Sequence, residues 1–205
     1  MNEVGPRIAL TFDAEHPDRP LCPPGGTERI LDVLHDADVR GTFFIQGRWA
    51  MAQPAVARRI AEEDQLVGNH SHYHVRMPLL SDDGLREDVR DGEEAIREAC
   101  GADPRPWFRC PFGAGHDDPR VLATLDELGY RNVHWDVEAQ DWEPWRTAAD
   151  IAHDAVEGAL EHGEGAIVLL HTWPAPTREA LPAILEGLAA SGARFVTVDE
   201  LEHVP

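Results

Sequence analysis

Hydrophobic residues fall along this chain in two alternating rhythms. Short runs rich in apolar and β-branched residues, at 7–12, 41–45, 66–68, 107–108, 132–136, 166–170 and 194–198, have the length and composition of strands. Between them the apolar positions come three and four apart, which predicts helices. The first is capped by Thr27 and carries Ile30, Leu31, Leu34 and Ala37 on one face; others are predicted over 54–64, 81–100, 119–128, 147–162 and 177–190. Gly101 and Gly129 stop two of these helices.

Seven strands alternating with helices predict an α/β chain with parallel strands and outer helices. Count and length favour a distorted (β/α)7 barrel in a single domain over 1–205. In such folds sites gather where strands end. Asp13, the 70–74 histidine turn, Arg109, Asp141 and His171 follow the first, third, fourth, fifth and sixth strands, so five separate segments are expected to share one face.

Composition narrows the partners. The net charge of -20 argues against nucleic acid and anionic membrane. All 18 basic residues are arginine. The first six residues carry neither a basic region nor an apolar run, which makes a cytoplasmic protein the default expectation. Cys22, Cys100 and Cys110 share no CxxC spacing and read as reduced thiols. Oligomeric state is not encoded in any of these features.

The densest chemistry is Gly68-Asn69-His70-Ser71-His72-Tyr73-His74. His70 and His74 have a spacing at which two imidazoles converge on one metal ion, and alternation leaves His70 with His72 as the other pairing. Two imidazoles and one carboxylate make a three-ligand site with an open position, the pattern of a catalytic divalent metal, zinc first and cobalt, nickel or manganese after it. Such an ion acidifies water, and Asp13 is placed to take the proton while Arg109 orients Asp13 and keeps it ionised. His171, its tautomer set by Asp141, can protonate a leaving group, and the Pro111-Phe112-Gly113 turn can offer a backbone N–H to an oxyanion. Trp142, Trp173 and Pro111 are candidates to line a sugar, aromatic faces being suited to stacking on one. Together these parts describe metal-assisted hydrolysis of an amide or ester.

Thr11-Phe12-Asp13, His70-Ser71-x-x-His74, Arg109-x-Pro111-Phe112-Gly113, Glu138-x-x-Asp141-Trp142 and Leu170-His171 resemble, in order, the five motifs of the polysaccharide deacetylases, carbohydrate esterase family 4 (the NodB-homology domain). The resemblance implies a distorted barrel of seven or eight strands and removal of acetyl groups from N-acetylglucosamine polymers or acetylated xylan with a divalent ion. It implies Asp13 as base, His70 and His74 as ligands, Arg109 as tether of the base, the Phe112 amide as oxyanion donor, and Asp141 with His171 as the acid pair.

The sequence departs from that pattern where the family has a second, ligating aspartate: here stands Ala14, which binds nothing. Glu15 is long enough to reach the same ion, with His16 and Asp18 as weaker candidates. Glu138 also replaces an aspartate. Three functions therefore compete on this scaffold: deacetylation of carbohydrate, hydrolysis of a small linear or cyclic amide, and a carbohydrate-binding domain whose catalysis went with Ala14. Two histidines and a carboxylate also suit a non-haem iron oxygenase, but strand-helix alternation counts against its usual jelly-roll.

Overall fold

Strand β1 is the spine of the chain: past its first residue, Ile8, Ala9, Leu10, Thr11, Phe12, Asp13 and Ala14 are all buried. In chain order the elements are β1 (Arg7–Ala14), α1 (Gly26–Asp36), β2 (Thr42–Ile45), α2 (Gly47–Ala52), α3 (Pro54–Glu62), β3 (Leu66–Asn69), α4 (Asp82–Cys100), β4 (Trp107–Phe108), α5 (Pro119–Glu127), β5 (Arg131–Asn132), β6 (Val137–Glu138), α6 (Ala148–His162), β7 (Ala166–His171), α7 (Ala175–Ala190) and β8 (Arg194–Val196). This computed structural model describes residues 5–16 and 22–201; Asp18 and the first four residues lie outside them. Among the described residues no helix is long and apolar enough to cross a membrane.

The chain packs as two compact units. Of the described residues, the first takes β1 as far as Phe12 together with residues 22–42 and 135–201. Its strands run β1, β7, β6, with β8 pairing β1, and the pairings of β8 with β1 and of β6 with β7 are parallel. Register is pinned by a side chain as well as the ladder, since Thr11 Oγ1 donates to the Val168 carbonyl at 2.7 Å. Helices α6 and α7 pack against each other, and α1 against α7. A reciprocal capping box of Thr147 and Asp150 satisfies the first turn of α6.

The second unit holds Asp13–His16 and Phe43–His134. Its strands run β5, β4, β3, β2, the pairs β3–β4 and β4–β5 being parallel, with Asn69 opposite Phe108. Helices α2 and α3 lie on α4. Met77, Leu85, Val89, Phe108, Val121, Leu125 and Tyr130 form a buried cluster that carries α4 and α5 against β4. Ser81 caps α4 by accepting from the Gly84 N–H, and Gly101, at φ 73°, ends it in the left-handed conformation that costs glycine little.

Parallel strands with flanking helices are the architecture that the hydrophobic pattern predicts. Three particulars differ. The strand predicted over 132–136 is two strands, β5 and β6, making eight among the described residues: Val133 donates to the Phe108 carbonyl, whereas Asp136 donates to that of Ile167. Helix α2 was hidden because six residues are too few to display a 3.6-residue period. Thr27 does not cap α1; the cap position is Gly25 at φ 79°, and Thr27 is buried inside the first turn.

Candidate active site

Asp13 and Glu15 reach the site because β1 runs out beneath it. The Ala14 carbonyl accepts from Gln46 N at 2.9 Å, and Gln46 Oε1 accepts from the His16 N–H at 3.0 Å, so the chain just past the strand is tied to the end of β2. Both carboxylates are buried, Asp13 at 3% exposure and Glu15 at 2%.

The histidine turn leaves β3 and is held by backbone bonds on all sides. His70 N donates to the Ile45 carbonyl, the Ser71 carbonyl accepts from Gly47 N at 2.8 Å, and Tyr73 N donates to Asp88 Oδ1 at 2.9 Å. Ser71 and His74 both sit in left-handed backbone, φ 62° and 58°, and the Ser71 hydroxyl accepts from the His74 N–H at 3.0 Å. Non-glycine residues rarely adopt that conformation unless the surroundings enforce it. Helix α4 presses from below at Gly92, where a Cβ would lie 2.7 Å from Asn69 Oδ1 and 2.9 Å from the Ser71 carbonyl carbon.

This backbone brings three donor groups together. Glu15 Oε2 lies 2.5 Å from His74 Nε2 and 3.4 Å from His70 Nε2, and one donor atom from each residue falls within 4.8 Å of the others. His70 Nδ1 lies 2.8 Å from the Arg109 carbonyl oxygen, which only a protonated Nδ1 can satisfy, so in the neutral ring Nε2 carries the lone pair. That Nε2 is buried and faces Asp13 Oδ2 and Glu15 Oε2 at 3.4 Å without a well-formed hydrogen bond to either. Burial pulls the His70 pKa down, but the charges of Asp13 and Glu15 outweigh it and raise the value. A buried imidazole nitrogen aimed between carboxylates fits a divalent cation, and two nitrogens with one oxygen match an open three-ligand site. His72 is outside this group; its ring lies edge-on to Tyr73 at 4.6 Å.

Beside the donors stands a buried ion pair. Arg109 is fully buried, donating from Nη1 to Asp13 Oδ1 at 2.9 Å, from Nε to the Val133 carbonyl at 3.1 Å and from Nη2 to that of His134 at 3.5 Å. Its guanidinium lies 4.1 Å above the Phe44 ring. Burial lowers the pKa of Arg109 and Asp13 counters it, so the charge is kept by its partners rather than by water. One oxygen of Asp13 is fixed by Arg109, and the other is turned toward His70 Nε2.

The turn after β4 is strained at the residue predicted to donate. Phe112 has φ 57° and ψ 16°, and among the described residues no acceptor takes its N–H. Pro111 is buried and shapes the turn, while the Phe112 ring is half exposed and packs 4.4 Å from that of His74. His116 accompanies the same turn, exposed and stacked on His134 at 4.1 Å.

The remaining predicted residues cluster within the first unit. Asp141, 1% exposed, accepts from the His171 backbone N–H at 2.7 Å and from Thr177 Oγ1 at 2.6 Å, and its Oδ1 lies 2.7 Å from His171 Nδ1. A carboxylate so placed holds the proton on Nδ1 and leaves Nε2 as the acid-base atom. Trp142 lies edge-on to His171 at 5.2 Å and Trp173 is tilted against it at 6.0 Å; Trp142 is half-buried and Trp173 buried. Glu138 is pushed up by burial, which Asp141 reinforces and His171 opposes.

Thus Asp13, Glu15, His70, His74, Arg109, Pro111 and Phe112 come together in the second unit, and Asp141, Trp142, His171 and Trp173 in the first. Sequence reasoning missed Thr177, Asp88 and Gly92, which support the chemistry without joining a motif; the signal for Thr177 was its place at the start of a predicted helix.

Comparison with known proteins accords with this geometry. The polysaccharide deacetylase family model matches residues 2–133, a span that includes the Glu15, His70, His74 cluster and stops short of Asp141 and His171. A peptidoglycan-N-acetylmuramic acid deacetylase from Bacillus subtilis is 30% identical over 195 residues, 95% of this chain and 70% of that protein. An acetyl xylan esterase of family 4 from Clostridium thermocellum, solved with cobalt, superposes with TM-score 0.81 at 32% identity over 95% of this chain and 89% of the other. A family 4 pseudoenzyme from Bacillus anthracis superposes with TM-score 0.84 at 28% identity, over 96% of this chain and 65% of that one. The chain spans between 38% and 72% of the lengths of eight curated relatives. Motifs, donor geometry and these likenesses agree, and the chain belongs to the polysaccharide deacetylase family.

Proposed function

We propose that this chain is a metal-dependent hydrolase that removes acetyl groups from N- or O-acetylated carbohydrate. The observation that carries the reading is the convergence of Glu15, His70 and His74 beside the Asp13–Arg109 pair. Glu15, His70 and His74 would hold the ion, zinc by the chemistry of two nitrogens and one oxygen, with Glu15 serving for the ligand lost at Ala14. Such an ion, when bound, acidifies water and polarises an acetyl carbonyl. Asp13 takes the proton of the attacking water on Oδ2, since Oδ1 is engaged by Arg109. The Phe112 N–H steadies the oxygen that becomes negative as the carbonyl is attacked. His171, held by Asp141, gives the proton from Nε2 to the departing amine or alcohol; that role rests on the resemblance of the Leu170-His171 motif. The relative from Bacillus subtilis, named for peptidoglycan, supports a cell-wall sugar as the substrate class.

The test is acetate release from N-acetylglucosamine oligomers by chelated and then zinc-reloaded protein. Release returns with the metal in the wild type and falls by about 100-fold or more in Asp13→Asn and His171→Ala. Glu15→Gln needs at least about tenfold more free zinc for half-maximal activity. A second reading, a domain that binds sugar without cleaving it, draws on Ala14 and on the likeness to the pseudoenzyme. Sugar binding by reloaded wild type with no acetate released would establish that reading and end the first.

A further inference from the structure

A stack of planar groups leads outward from the candidate metal centre. The His74 ring packs 4.4 Å from the ring of Phe112, and the guanidinium of Arg76 lies 4.4 Å over that same Phe112 ring. On Tyr73, the residue before His74 in the histidine turn, the Arg48 guanidinium lies 5.9 Å over the ring. Phe112 and Tyr73 are exposed at 46% and 55%, and both arginines are exposed. Neither guanidinium pairs with a carboxylate among the described residues, although 38 acidic residues surround 18 basic ones and arginines such as Arg86 and Arg120 do reach an acid.

A guanidinium laid flat on an aromatic face has lost much of its rotamer freedom and keeps its donor edges outward, an arrangement suited to a bidentate carboxylate. In a chain repelling anions elsewhere, that edge is a local exception next to the centre. We propose that Arg76, seated on Phe112 and assisted by Arg48, recognises a carboxylate carried by the acetylated sugar, making an anionic acetamido sugar the preferred substrate. The inference rests on the hydrolase reading above for the site it serves, and Arg76 is a specificity-determining residue rather than a catalytic one. Released acetate is the other carboxylate that could use the same edge.

Two probes separate these cases: the N-acetylglucosamine tetramer and the same tetramer bearing carboxyethyl ethers at O-3. The quantity read is the ratio of kcat/KM for the carboxylated over the neutral tetramer, which cancels any general effect of Arg76 on the Phe112 turn. The wild type favours the carboxylated tetramer, Arg76→Gln lowers the ratio about tenfold and Arg48→Gln about threefold, and the wild-type ratio falls as salt is raised. A ratio unchanged in Arg76→Gln overturns the proposal, as does a variant that alters inhibition by acetate while leaving the ratio alone. If neither tetramer yields acetate, calorimetry on zinc-loaded protein reads the same ratio as binding constants. Tighter binding of the carboxylated tetramer, lost in Arg76→Gln, upholds the recognition while the hydrolysis fails; equal binding overturns it.

Discussion

Asp88 shows how a single side chain can hold a site in place at a cost. It is nearly buried, accepts from the Tyr73 N–H at 2.9 Å, and is pushed up by that burial, more than its hydrogen bonds to the histidine turn pull it back. A carboxylate with a raised native pKa binds its proton more tightly folded than unfolded, so its contribution to stability falls as pH climbs from the ordinary carboxylate value through the raised one. Asp88→Asn keeps an acceptor and discards the charge. Its stability relative to wild type, by urea denaturation, is expected to improve as pH rises from the ordinary carboxylate value through the raised one. Asp88→Ala, which orphans the Tyr73 N–H, loses about 1–3 kcal/mol. Residue identity was the most legible level of this protein: Asp13, His70, His74 and Arg109 announce themselves by type and spacing, and Glu15 by its nearness to Ala14. What the letters hide is backbone conformation. Nothing in Ser71, His74 or Phe112 signals φ near 60°, because the bonds that hold the histidine turn come from Gly47 and Asp88, residues remote from it in sequence.

At the level of elements, α4 and the histidine turn fit together only because Gly92 has no side chain. A Cβ would come within 3.0 Å of Asn69 Oδ1 and of the Ser71 carbonyl; the second is backbone, and the first belongs to an amide held by the Val89 carbonyl and the Tyr130 hydroxyl. Alanine at a helix interior ordinarily gains about 1 kcal/mol over glycine. If Glu15, His70 and His74 hold zinc as proposed, Gly92→Ala is nonetheless expected to lower both thermal stability and zinc affinity, the latter at least about tenfold, by forcing Ser71 and the candidate ligands beside it out of register; a variant with unchanged zinc affinity would contradict this placement. Strands and long helices were readable from periodicity, with ends within a few residues. The break between β5 and β6 was not, since Val133 and Asp136 donate to different neighbouring strands and pairing partners leave no local trace in sequence. Helix α2 escaped for its brevity.

For the molecule as a whole, the excess of acid over base dominates the electrostatics. A net charge of -20 repels itself in the compact state, and added salt screens that repulsion. Raising sodium chloride from about 10 mM to about 500 mM is expected to raise the melting temperature by several degrees; a fall would mean that ion pairs such as Arg7–Glu164 and Arg120–Asp82 outweigh the repulsion. The order of five motifs along the chain identified the family from sequence alone, because motif order survives where pairing detail does not.

The left-handed trio at Ser71, His74 and Phe112 carries a consequence for anyone wishing to harden this protein against heat. Each such residue costs on the order of 1–3 kcal/mol. Glycine at those places would relax the chain, but at 74 it would remove an imidazole, and at 112 the ring on which Arg76 rests. Thermostabilising searches that score only melting temperature would therefore be drawn to these three positions first, and on the proposed function the gains at 74 and 112 would be taken from turnover.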